Sequence, residues 1–305
     1  MIPWLQGAVH KDTHEHILKT HIPKHETRTH TIRTDTSDSR GWLKDAPTRP
    51  KCDASLTLPL MLMRNREGEL IAHSWVPGAP GSRELVVIGH GVTSDKERPW
   101  SEYLSERLAA RGVASMRIAW SGNGDSEGDF EDSTISKEVA DLGAILDALE
   151  DRWRVSFVGH SMGASVGMRR AALDPRIQRL VCLAGMVHTA EFMDSYFGHL
   201  EVGDLMLGKP ACPLSAELVK DLHEIGSVVG DATRIQVPWL IVHGTADAVV
   251  PMAHSRDAHA ASEGNAELVE LAGVDHSFTG DGLQKMADIV VPWLCDSRPP
   301  NSETA

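Results

Sequence analysis

Residues 158–167 read VGHSMGASVG and overlap the apolar run RVSFVG at 154–159. A short apolar run bounded by glycine reads as a buried strand, and the residues after Ser161 carry a helical pattern. Ser161 therefore stands at a strand-to-helix junction, inside the G-x-S-x-G pattern Gly159-His160-Ser161-Met162-Gly163. Small residues beside the serine let the backbone turn sharply there in a strained conformation. A helix N-terminus then lays positive potential beneath developing negative charge. A serine at a helix start also serves as an N-cap, so the pentapeptide alone leaves both readings open.

Outward from this junction, apolar strands alternate with helices. ELVVIG (84–89) leads to an amphipathic helix over 99–111 that stops at Gly112, and VASMRIA (113–119) leads through a Gly-rich loop to a helix near 134–150. After the helix from Ser161 to about Leu173 come IQRLVCLAG (177–185), PWLIVHG (238–244), a helix near 252–262, AELVELAG (266–273) and a closing helix near 281–295. Upstream, LPLMLM (58–63) and ELIAHSWV (69–76) read as a hairpin turned at Arg66-Glu67-Gly68. Near-continuous apolar strands alternating with helices predict an α/β domain, a mostly parallel central sheet covered by helices on both faces, over residues 55–298. The interval 186–236 breaks this rhythm and predicts a short helical cap insertion. In it, Met193, Tyr196, Phe197 and Met206 could wall an apolar pocket or simply pack as core. His188, His199 and His223 could line a site or sit in solvent.

A serine hydroxyl attacks only when a base takes its proton and a carboxylate orients that base. IVHGTADAVVP places Asp247 in a loop just after one strand, and GVDHSF places His276 in a loop just after another. Each has an alternative: Asp247 as cap of the helix beginning near Pro251, His276 as a surface loop residue. Three such residues at strand C-termini favour one site. Strand 84–89 runs into His90-Gly91-Val92-Thr93, where glycine permits close approach to a substrate. The backbone N–H groups of Val92 and Met162 are the expected oxyanion donors.

Taken together, His90-Gly91-Val92, the loop Gly122-Asn123-Gly124-Asp125-Ser126-Glu127-Gly128, Gly159-His160-Ser161-Met162-Gly163, His243-Gly244-Thr245-Ala246-Asp247 and Asp275-His276 resemble the α/β-hydrolase superfamily over about residues 56–296. HGVTSDKERPW followed by SGNGDSEGDFED is similar to bacterial feruloyl (cinnamoyl) esterases and serine-aminopeptidase-like hydrolases. The resemblance implies the α/β-hydrolase fold, a triad of Ser161, Asp247 and His276, and Val92 and Met162 as oxyanion donors. It also implies a small-molecule ester substrate cleaved through an acyl-enzyme without a metal or organic cofactor. Peptidase, thioesterase and acyltransferase chemistry would use the same triad, and a binding protein would leave it unused. This chain departs from the family at Ala119 and Trp120, where an Asp is frequent, and at Met162 and Ala164, where Gln and Gly are common. Dehalogenases and epoxide hydrolases of this fold need an Asp nucleophile, and dienelactone-type enzymes a Cys, where Ser161 stands. No G-x-G-x-x-G follows the first strand, which argues against a nucleotide cofactor.

Bulk properties bound the partners. The net charge is −13; residues 1–54 carry nine basic against seven acidic side chains, so residues 55–305 carry −15. Such a body repels nucleic acid and anionic membrane surfaces. The cysteines Cys52, Cys182, Cys212 and Cys295 lack zinc-like spacing and fit a reduced compartment. No stretch approaches a membrane span and no secretory apolar core opens the chain, which predicts a soluble, cytoplasmic protein. Residues 1–54 are rich in His and Thr, with six of the sixteen histidines (His10, His14, His16, His21, His25, His30), and read as a flexible tail. A metal-binding role for that tail competes with a merely solvated extension. Residues 299–305 read as a disordered C-terminus.

Overall fold

Alternating side chains along each strand must find an apolar environment on both faces of the sheet, and the helices supply it. The computed structural model describes residues 62–296. The predicted tail 1–54, with its histidines, and the C-terminal 299–305 lie outside the described residues. The elements run β1 (His73–Val76), β2 (Glu84–Gly89), α1 (Pro99–Ala109), β3 (Ala114–Ile118), α2 (Ile135–Ala148), β4 (Arg154–His160), α3 (Met162–Ala171) and β5 (Ile177–Leu183). A cap segment follows, with α4 (Thr189–Phe192), a wider turn (Met193–Phe197) and α5 (Ala216–Ile225). Then come β6 (Trp239–Gly244), α6 (Met252–Ala261), β7 (Ala266–Leu271) and α7 (Gly282–Cys295).

The strands form one sheet in the order β1-β3-β2-β4-β5-β6-β7, parallel except for β1. On one face Val86 and Ile88 of β2 and Leu240 and Val242 of β6 pack with Trp100, Leu104 and Leu108 of α1 and Met286, Val290 and Leu294 of α7. On the other, Leu85 and Val87, with Trp239 and Ile241, pack with α2, α3 and the cap. Each such buried aliphatic side chain contributes about 1.5–3 kcal/mol relative to exposure. From β2 the chain steps to β3 on one side and then crosses to β4 on the other. The crevice at the carboxyl ends of β2 and β4 is therefore the switch point of the sheet, where α/β folds hold ligands.

Of the expected hairpin, the described residues keep the turn and the start of its pairing. Residues 58–61 of its first segment lie outside the described residues. In the remainder, a single antiparallel bridge joins Arg64 to Leu70 around the turn, Ile71 N–H donates to Met63 O at 2.8 Å, and β1 starts only at His73. There it pairs with β3, from His73 opposite Ile118 to Val76 opposite Ser115. Among the described residues no helix is long and apolar enough to cross a membrane.

Helix α2 carries an acid into the core. Glu138 is 1 % exposed, and burial, with the nearby Asp141 carboxylate, raises its pKa well above the usual carboxylate range. Its Oε1 accepts from Ser133 Oγ at 3.3 Å. A carboxyl whose folded pKa is raised stabilises the fold below the unfolded value, near 4.5, and this contribution is lost as pH rises. Glu138→Gln is expected to become progressively more stable than the parent as pH rises from 5 toward 8, by up to about 1.4 kcal/mol per pH unit. Urea unfolding across that range reads the difference.

Candidate active site

The crest of β4 shows why its glycines are needed. Ser161 sits at φ 54°, ψ −118°, a region that non-glycine residues occupy at a cost on the order of 1–3 kcal/mol. The surrounding hydrogen bonds hold it there: Ser161 N–H donates to Leu183 O at 2.9 Å, and Ser161 O accepts from Ala164 N–H at 3.1 Å and Met186 N–H at 3.2 Å. A Cβ on Gly159 would lie 2.2 Å from Gly163 O, and one on Gly163 would lie 2.5 Å from His90 O. The loop after β2 passes directly over the serine, since a Cβ on Gly91 would stand 2.8 Å from Ser161 Cβ and 3.2 Å from its Oγ.

Among the described residues, the backbone N–H groups of Val92 and Met162 have no hydrogen-bond acceptor. These are the two donors expected from sequence. Trp120, one of the departures from the family pattern, clamps the loop that carries Val92. Its Nε1–H donates to His90 O at 3.0 Å, and its backbone N–H donates to His90 Nε2 at 3.3 Å. His90 Nδ1–H in turn donates to Gly91 O at 2.9 Å. Burial pushes the His90 pKa down to about 4, so the ring stays neutral with one nitrogen donating and the other accepting.

The predicted acid and base also meet. His276 Nδ1 lies 2.8 Å from Asp247 Oδ2, and the Asp247 side chain is 1 % exposed. Its Oδ1 accepts from Val249 N–H at 2.8 Å and Val250 N–H at 2.9 Å, so the carboxylate braces its own turn as well as facing the imidazole. Burial opposes ionisation of Asp247, but hydrogen bonds from His243 and His276 outweigh it and hold the carboxyl well below the usual range.

Two contributors escaped the sequence reading. His243 Nε2 lies 3.1 Å from Asp247 Oδ2 and donates to Val250 O at 3.0 Å, while its Nδ1 accepts from Ser255 Oγ at 2.6 Å. His160, the variable residue of G-x-S-x-G, donates from Nε2 to His276 O at 2.8 Å. Its ring lies 5.1 Å from Trp100 and 4.7 Å from His276. Burial, then the nearby His276, pushes its pKa down to about 3, so it stays a neutral donor. The signal for both was adjacency to a motif residue, which leaves the direction of the side chain open.

Ser161 and His276 line one cleft of about 160 Å³, together with Gly91, Val92 and the cap residues Tyr196 and Phe197. Phe192 and Tyr196 stack with ring centroids 5.0 Å apart, giving the cleft a flat aromatic wall. Met193 and Met206 are instead buried core. His188 bonds Asp257 at 2.9 Å and His223 bonds Asp194 at 2.8 Å, both away from the cleft, and His199 does not line it. A larger groove of about 280 Å³ beside Trp75 and Trp153 lies at the opposite ends of the strands and pairs no nucleophile with a base. Among the described residues, no group of three or more His, Cys, Asp or Glu side chains could hold a metal ion.

Sheet order, elbow and cap together define the α/β-hydrolase fold, and the chain resembles esterases built on it. A family model described as serine aminopeptidase, S33, matches residues 80–212. Est1E from Butyrivibrio proteoclasticus, solved with ferulic acid bound, superposes with a TM-score of 0.67 at 24% identity, covering 75% of this chain and 95% of that one. Mouse alpha/beta hydrolase domain-containing protein 10 superposes with a TM-score of 0.62 at 17% identity, covering 74% and 94%. In sequence, the human mitochondrial palmitoyl-protein thioesterase ABHD10 is 31% identical over 99 residues, so the match spans about a third of each protein, 32% of this chain and 31% of the relative.

The Trp120 clamp is testable apart from any activity. Trp120→Phe leaves the buried His90 carbonyl without its indole donor and is expected to lower stability by about 1–3 kcal/mol in urea unfolding.

Proposed function

We propose that the protein is a serine hydrolase of carboxylic esters that works through an acyl-enzyme on Ser161. One arrangement carries the reading: the strained Ser161 beneath Gly91, sharing a cleft with a His276 whose Nδ1 lies 2.8 Å from buried Asp247. Ser161 Oγ attacks the ester carbonyl carbon as its proton passes to His276 Nε2. Asp247 holds the Nδ1–H and stabilises the imidazolium. The tetrahedral oxyanion takes the unpaired N–H groups of Val92 and Met162. The intermediate collapses as His276 returns the proton to the leaving alkoxide, freeing the alcohol. Water, deprotonated by His276, attacks the acyl-enzyme, and the carboxylic acid and Ser161 are regenerated.

The aromatic wall of Phe192 and Tyr196, in a cleft smaller than the roughly 300–1,000 Å³ of drug-sized sites, supports a compact or flat acyl group. The ferulic acid held by Est1E is of that shape, which supports a feruloyl-esterase-like specificity. A thioester is the second substrate to weigh, because the local likeness is to a palmitoyl-protein thioesterase, and the same attack serves either leaving group. Cys182, Cys212 and Cys295 are free thiols, which supports a reducing compartment, here taken as the cytoplasm.

Ser161→Ala is expected to lower turnover of p-nitrophenyl acetate by at least about a thousandfold with its unfolding midpoint unchanged, and Asp247→Asn to lower turnover by about ten-thousandfold. A fluorophosphonate probe should label the parent at Ser161 and not the alanine variant. Undiminished turnover in Ser161→Ala would remove the mechanism.

A further inference from the structure

Two basic side chains line the cleft of a strongly negative protein. Among the described residues, and besides histidine, the charged side chains that line it are Arg98 and Lys209, with no Asp or Glu, in a chain of net charge −13. Arg98 precedes Pro99 at the start of α1, in extended conformation at φ −89°, ψ 138°. Its carbonyl is committed to the helix start, accepting from Ser101 N–H at 2.9 Å, Glu102 N–H at 3.0 Å and Ser101 Oγ at 2.9 Å. Arg98 lines the cleft, and among the described residues its guanidinium makes no hydrogen bond, ion pair or ring contact.

The neighbouring acids are committed elsewhere. Glu97 accepts from Ser74 and Arg117, Asp125 takes Lys96 at 2.6 Å, and Asp95 accepts Glu97 N–H at 2.9 Å. By contrast, Arg117, Arg176 and Arg256 each pair with a carboxylate. The Arg98 charge is felt inside the cleft, where it helps to hold both the His90 and the His160 imidazoles neutral. From the cap, Lys209 donates through Nζ to Thr93 O at 2.5 Å, which puts an ammonium beside the Val92 turn.

We propose that Arg98, supported by Lys209, is a specificity residue for an ester that carries a carboxylate on its acyl or its alcohol part. The inference rests on the ester-hydrolase reading of Ser161. A free guanidinium presents two parallel N–H donors that match a carboxylate, and a half-enclosed cleft strengthens that pairing. Lys209 already spends one donor on Thr93 O, so the pair suits one negative charge rather than a dianion.

Two matched ester pairs test the proposal: mono-p-nitrophenyl adipate against p-nitrophenyl hexanoate for the acyl side, and m-acetoxybenzoate against its methyl ester for the alcohol side. The parent is expected to favour the charged member of at least one pair in kcat/KM, less so in high salt. Arg98→Gln should lower that charged-to-neutral ratio about tenfold or more, mainly through KM, and Arg98→Lys should restore part of it. An equal ratio in parent and Arg98→Gln for both pairs overturns the proposal. So does an equal loss on charged and neutral members, which would mean that Arg98 serves the common transition state.

Calorimetric binding of the two charged esters in the Ser161→Ala background separates this inference from the reading beneath it. Binding that weakens with Arg98→Gln supports the anion subsite even if the parent hydrolyses none of the four esters, an outcome that would overturn only the esterase reading. Binding indifferent to Arg98 overturns the subsite and leaves that reading standing.

Discussion

Everything at the sheet's switch point depends on how closely two backbones approach. The turn after β4 and the loop after β2 lie against each other with no room for a Cβ at Gly91, Gly159 or Gly163. That contact lets the left-handed strain at Ser161 persist, because the hydrogen bonds of Leu183, Ala164 and Met186 over-determine the turn. It also carries the Val92 N–H and the Met162 N–H to the same crevice, since one follows Gly91 and the other follows Ser161.

Around this contact, buried histidines make fixed contacts. His90 ties the β2 loop to Trp120, His160 holds the carbonyl of His276, and His243 reaches Asp247. Burial disfavours the imidazolium of His90 and His160, which keeps each in one hydrogen-bonding role. The basic side chains that line the cleft are instead Arg98 and Lys209. One stands at the start of α1 and the other in the cap, where it reaches Thr93 of the β2 loop, so two distant segments bring charge to one cleft.

The framework was legible in short windows of sequence. Apolar runs at 84–89, 154–159 and 238–244 become β2, β4 and β6 because a strand buried on both faces needs an unbroken apolar sequence. Ser161 and Asp247 were legible because each follows such a run and His276 because it follows the strand β7, and parallel strands bring their C-terminal ends to one edge. Of the hairpin expected over 58–76, the described residues keep the antiparallel turn between Met63 and Ile71; beyond it β1 pairs with β3, because alternation in a short strand does not name its partner.

By itself, then, the sequence determined the alternation of elements, the glycines of the elbow and the loops from which a serine, an aspartate and a histidine project, since these rest on local periodicity and backbone sterics. Only the tertiary structure decided that Trp120 clamps His90, that His160 and His243 turn toward His276 and Asp247, and that Arg98 and Lys209 face one cleft. The reason is physical. Those contacts join segments far apart in the chain, and the direction in which a side chain points is set by the order and pleat of the strands beneath it, which no local window contains.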